Sequence, residues 1–100
     1  MQLEQQDQIL SPYDTFVYAL KSKETRRQYP HRLDKFMVFM GLQGTIEEKC
    51  DQLFELSKDN NNLATYLIKF INYQKQRVEN NEISEGTLRN YVKAIKLFYL

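Results

Sequence analysis

Five times along the chain, a short polar side chain stands just ahead of apolar residues spaced three and four apart. Ser11 precedes Phe16, Val17 and Leu20, and Ser22 precedes Tyr29, Leu33, Phe36, Met37 and Met40. Thr45 precedes Ile46, Cys50, Leu53 and Phe54, and the run Asp-Asn-Asn-Asn at 59–62 precedes Leu63, Tyr66, Leu67, Phe70, Ile71 and Val78. Ser84 precedes Leu88, Tyr91, Val92, Ile95 and Tyr99. A helix leaves its first N–H groups without partners, and such polar side chains accept from them. A spacing of three and four keeps the apolar residues on one face. No alternating strand pattern, internal repeat or low-complexity stretch competes, so the expected fold is all-α, a small bundle of four or five short helices.

Local signals refine the boundaries. Pro12 follows its cap at the first helical position, where a missing N–H costs nothing, and begins a brief helix. Gly41 is expected to end the second helix. Pro30 lies inside that helix, removing one donor and pressing on the carbonyl of Arg26 at a cost of about 3 kcal/mol. The sequence leaves open a kink near Arg26–Pro30 or two helices with Pro30 starting the second. Thr45 and Glu48 have the spacing of a capping box, and Ile83 and Leu88 that of a hydrophobic staple. An Asn of the 59–62 run is expected to cap the fourth helix, which Asn80 and Asn81 end. Residues 1–10 are Gln-rich with little periodicity and read as a flexible lead-in or short docking strip before a domain spanning 11–100.

With 100 residues, 42% of them apolar, and only 3 Gly and 2 Pro, the chain suffices for one small core. It has neither a membrane-length apolar run nor the basic start and apolar core of a secretory signal, so a soluble cytoplasmic protein with no membrane partner is expected. Cys50 is the single cysteine and cannot pair within the chain, which suits a reducing compartment. One cysteine, one histidine and no Gly-rich phosphate loop make a thin inventory for catalysis. No catalytic residue, metal ligand set or cofactor is expected. Cys50 reads as a small buried hydrophobe, and the acids of 47–59 as a solvated helix surface.

The formal net charge is only +1, but it is unevenly distributed. Residues 21–35 carry six cations against two acids, and residues 86–100 carry Arg89, Lys93 and Lys96 with no acid. On an unbroken helix Lys23, Arg27, His31 and Lys35 step by four, opposite the Tyr29, Leu33 and Met40 face. Arg89, Lys93 and Lys96 recur at four and three along the last helix, with Thr87 and Asn90 as neutral hydrogen-bonding neighbours. A single basic stripe is usually a solvated face. Two acid-poor stripes in one small domain point towards phosphate, since a duplex carries one negative charge per roughly 1.7 Å of axis. The aromatic residues Tyr29, Tyr66, Tyr91, Phe36 and Phe70 sit at core spacing and read as packing.

The stretches Ser22–Phe36 (SKETRRQYPHRLDKF) and Ile83–Phe98 (ISEGTLRNYVKAIKLF) together resemble, in order and separation, the N-terminal core-binding, SAM-like domain of tyrosine recombinases, the phage-type integrases, with archaeal members most similar. The resemblance covers about residues 11–100. It implies a helical bundle lying across one side of duplex DNA during site-specific DNA recombination or integration, associated with the nucleoid when bound. A separate C-terminal catalytic domain of the same parent chain clamps the other side, and further recombinase protomers assemble on the DNA. Under that resemblance Thr25, Arg26, Arg27, His31, Thr87, Arg89, Asn90 and Lys93 contact DNA, and Lys23, Lys35 and Lys96 join them from the basic stripes. The last helix then leads towards the catalytic domain, and Leu97 and Leu100, off the core face, suit a meeting with further protein. The rival reading is a helical protein-interaction module that binds an acidic partner or self-associates. A complete small enzyme has little support.

Overall fold

Each helix begins where a side chain accepts from its first turn. The computed structural model describes residues 11–99, which form five helices: α1 Pro12–Tyr18, α2 Lys23–Phe39, α3 Ile46–Leu56, α4 Asn60–Glu79 and α5 Glu85–Tyr99. Residues 1–10 and Leu100, with the expected lead-in and half of the expected Leu97–Leu100 edge, lie outside the described residues. Ser11 Oγ accepts from the Asp14 N–H (3.1 Å), and Thr45 and Glu48 complete the reciprocal capping box. The fourth cap departs from expectation. Asp59, not an Asn, accepts from the Asn62 N–H at 3.4 Å, and its negative charge suits the positive end of the helix dipole.

Two helix ends close by the same device. The Gly41 N–H donates to the Val38 carbonyl and Leu42 N–H to the Met37 carbonyl, with Gly41 at φ 90°. Asn81 N–H donates to Val78 and Glu82 N–H to Arg77, with Asn81 at φ 62°. Both are Schellman ends, which need one residue in the left-handed region; Gly occupies it without strain and Asn tolerates it.

Pro30 does not split α2, which runs unbroken from Lys23 to Phe39. The Pro30 ring is itself buried. Apolar burial therefore offsets the lost backbone bond, a balance set by the rest of the fold.

The helices assemble around side chains from all five. α2 contributes Leu33, Phe36 and Met37, α5 contributes Tyr91, Ala94 and Ile95, and Phe16, Cys50, Leu53 and Phe70 fill the space between. α2 packs against α5 and α3, α1 against α3, and α4 against α5 and α3. Phe70 is the hub, with ring centroids 5.2 Å from Phe36, 5.3 Å from Phe39 and 5.7 Å from Tyr91, all edge-on. Edge-on pairs set the positive rim of one ring against the negative face of another, adding about 0.5–1.5 kcal/mol beyond burial. Lys49 Nζ lies 2.6 Å from Asp34 Oδ1, an ion-pair contact without hydrogen-bond alignment that ties α3 to α2.

Leu97 corrects the sequence reading. It packs against the core and lines a cleft of about 500 Å³ with Pro12, Thr15, Phe54 and Phe98. A single-helix projection places Leu97 off the core face because it cannot show that α1 and α3 wrap round that side.

Candidate nucleic-acid interface

The two basic helices begin alike. Ser22 Oγ accepts from the Thr25 N–H (3.1 Å) and pairs with Thr25 Oγ1 (2.9 Å); Ser84 Oγ accepts from the Thr87 N–H (3.1 Å) and pairs with Thr87 Oγ1 (3.1 Å). Thr25 and Thr87, both half-buried, are thus engaged in fixing the starts of α2 and α5. Each cap fixes where its helix begins, and the packing of the apolar face decides which residues face outward.

On α5 the inner face is Tyr91, Ala94 and Ile95, which leaves Arg89, Lys93 and Lys96 exposed on the opposite side and Asn90 half-buried at its edge. The Arg89 guanidinium lies close to Gly86, 3.9 Å from where a Cβ would stand. On α2 Lys23, Arg26, Arg27, His31 and Lys35 are exposed while Leu33, Phe36 and Met37 are buried. Both basic faces therefore look away from the core, on helices that pack directly against each other.

The α2 cations are not equally available. Arg26 donates from Nε to the Leu20 carbonyl at 3.0 Å, satisfying the end of α1. Arg27 pairs with Glu24 at 2.8 Å, and Gln28 also donates to Glu24, so one acid sits within the stripe. Lys23, His31, Lys35, Arg89, Lys93 and Lys96 have no carboxylate within 4.0 Å among the described residues.

Three cations escaped the sequence reading. Arg32 is held by Gln28 Oε1 at 2.6 Å with its guanidinium 5.6 Å from the Tyr29 ring centre. Arg77, on α4, donates to Gln74 Oε1 at 3.0 Å and pairs with Glu82 at 3.3 Å. Its guanidinium lies 5.9 Å from the centre of Tyr73, and Lys69 is exposed one turn before Tyr73. The spacing of Lys69, Tyr73 and Arg77, four apart on one helix face, was the available signal.

Other chemistry finds little to work with. Burial first, and then the charges of Asp51, Asp34 and Glu47, push the Cys50 thiol up to about 12, so the reactive thiolate is suppressed at neutral pH. Burial likewise raises Tyr99. Among the described residues no group of three or more His, Cys, Asp or Glu side chains could hold a metal ion, and no helix is long and apolar enough to cross a membrane. The walls of the cleft beside Leu97 carry no charged side chain, so it offers a phosphate no cation. In comparisons with protein-family models, curated proteins and solved structures, the chain matches none.

Proposed function

We propose that this domain grips duplex DNA as the SAM-like core-binding module of a site-specific tyrosine recombinase, with strand cleavage left to a separate catalytic domain of the same parent chain. The carrying observation is the packing of α2 against α5, each with an acid-poor basic face turned to solvent. Cations on rigid, capped helices suit a phosphate backbone because little backbone freedom remains to be lost on binding. Lys23, Lys35, Arg89, Lys93 and Lys96 supply the phosphate contacts that set register. Arg26, Arg27, His31 and Asn90 lie beside them with groups able to reach base edges.

Arg89→Glu combined with Lys93→Glu tests this reading. Both side chains are exposed, so the helical spectrum is expected to stay unchanged while affinity for duplex DNA falls. Each lost phosphate contact flattens the slope of log affinity against log salt by about 0.9. Losing two makes the fall in affinity between 50 and 200 mM salt about tenfold smaller than for the unaltered protein. Equal affinities and slopes in a gel-shift titration would remove the reading's physical basis.

A further inference from the structure

The α2 stripe ends at Lys35, and Lys35 also forms one wall of a groove between α2, α4 and α5. Val38 and Phe39 continue that wall, Tyr73 and Arg77 stand opposite, and Gln74 lies beneath. We propose that this groove holds an unstacked base of single-stranded nucleic acid, a binding mode distinct from the duplex contacts of α2 and α5.

Four features point to such a ligand. Phe39 and Tyr73 stack with centroids 5.6 Å apart at 29°, yet remain 38% and 50% exposed, so a flat aromatic surface is held open to solvent. A base has a π-face that fits such a platform whatever its sequence. Cations flank the platform: Lys35 across the groove, Arg77 over Tyr73, and Lys69 one turn before it. No acid lines the groove, and the carboxylate that meets its Arg77 is that of Glu82, at 3.3 Å. The third feature is Gln74, the one buried polar side chain among the described residues, only 3% exposed. Its Oε1 accepts from Arg77, while its Nε2 donates to none of the described residues, leaving an amide donor at the groove's base for a carbonyl or ring nitrogen of a base. Finally, the groove's volume of about 240 Å³ is small. It lies below the several hundred Å³ typical of sites for larger ligands and suits a single planar group.

The test uses fluorescence anisotropy with a short labelled oligo-dT and a blunt duplex of the same length, on the unaltered protein and on Tyr73→Ala and Tyr73→Phe. Tyr73 is half exposed, so both variants are expected to fold, which circular dichroism checks. Oligo-dT binding is expected to weaken by roughly fivefold to a hundredfold in Tyr73→Ala, the range of one lost stacking contact, and to persist in Tyr73→Phe. Duplex binding is expected to be the same in all three. Absence of oligo-dT binding overturns the proposal, as does an equal loss on both probes. Self-association of the protein that Tyr73→Ala abolishes, with oligo-dT affinity unchanged, overturns it too and assigns the patch to protein contact. Tyr73-dependent oligo-dT binding without duplex binding supports the groove while removing the recombinase reading.

Discussion

The two basic helices share a cap but differ in what their cations are already doing. On α5 Arg89, Lys93 and Lys96 touch no carboxylate among the described residues. On α2 Arg26 holds the end of α1, Arg27 is paired with Glu24, and Arg32 is held by Gln28 beside Tyr29. A cation with no protein partner presents its whole field to a phosphate. One that is already engaged has either a structural duty or a neighbouring acid that cancels part of it. Sequence spacing makes the two stripes look equivalent, whereas their partners leave all three α5 cations without an acid among the described residues and divide the α2 set into the unpaired Lys23, His31 and Lys35 and the engaged Arg26, Arg27 and Arg32.

Charge reversal on each helix in turn gives the widest separation. Arg89→Glu with Lys93→Glu should flatten the salt slope by about two, as two full contacts are lost. Lys23→Glu with Arg27→Glu should flatten it by closer to one, because Glu24 already offsets part of Arg27. Equal slopes from parallel gel-shift titrations would erase the distinction.

Stability should separate the helices in the opposite sense. Arg26→Ala leaves the Leu20 carbonyl without its charged donor, a loss expected to cost about 1–2 kcal/mol in urea unfolding. Arg89→Ala removes an exposed side chain with no hydrogen-bond or ion-pair partner among the described residues and should stay within about 0.5 kcal/mol. A cost for Arg89→Ala as large as that for Arg26→Ala would place a structural duty on α5 as well.

The contrast also marks what the sequence could disclose. Helix starts were legible at Ser11, Ser22, Thr45 and Ser84 because capping is a local bond between a side chain and an N–H three residues on. The start of α4 was legible only to the run 59–62, since any of its four residues can cap and geometry alone selects Asp59. Pro30 and Leu97 were beyond local reasoning: burial against the assembled core decides whether a proline is tolerated, and the arrival of α1 and α3 decides that Leu97 is covered. Which faces are basic was legible from spacing. Which cations are engaged was not, because Arg26 meets a carbonyl six residues back and Arg77 meets a buried glutamine and a residue beyond its helix.

Smaller effects probe the shared cap. Ser22→Ala and Ser84→Ala each remove an acceptor for a first-turn N–H and should each cost about 1 kcal/mol in thermal or urea unfolding. Near-equal costs would confirm that the helices differ in their outer faces and not in how they begin. A markedly larger cost at Ser84 would mean that the placement of α5 depends more heavily on its first turn.

The smallest expected effect is also the most direct examination of the α2 stripe. Glu24→Ala releases Arg27 and Gln28 from the one acid in that stripe. The pair is well exposed, at 71% and 61%, so its loss should cost less than about 1 kcal/mol, including the favourable charge removed from the first turn of α2. DNA binding should change the other way: with Arg27 unpaired, affinity should rise a few-fold at low salt and the salt slope should steepen by up to about one contact. α2 would then approach α5 in its response to salt. An unchanged or flatter slope would mean that Arg27 lies clear of the phosphates, confining the α2 contribution to Lys23, His31 and Lys35.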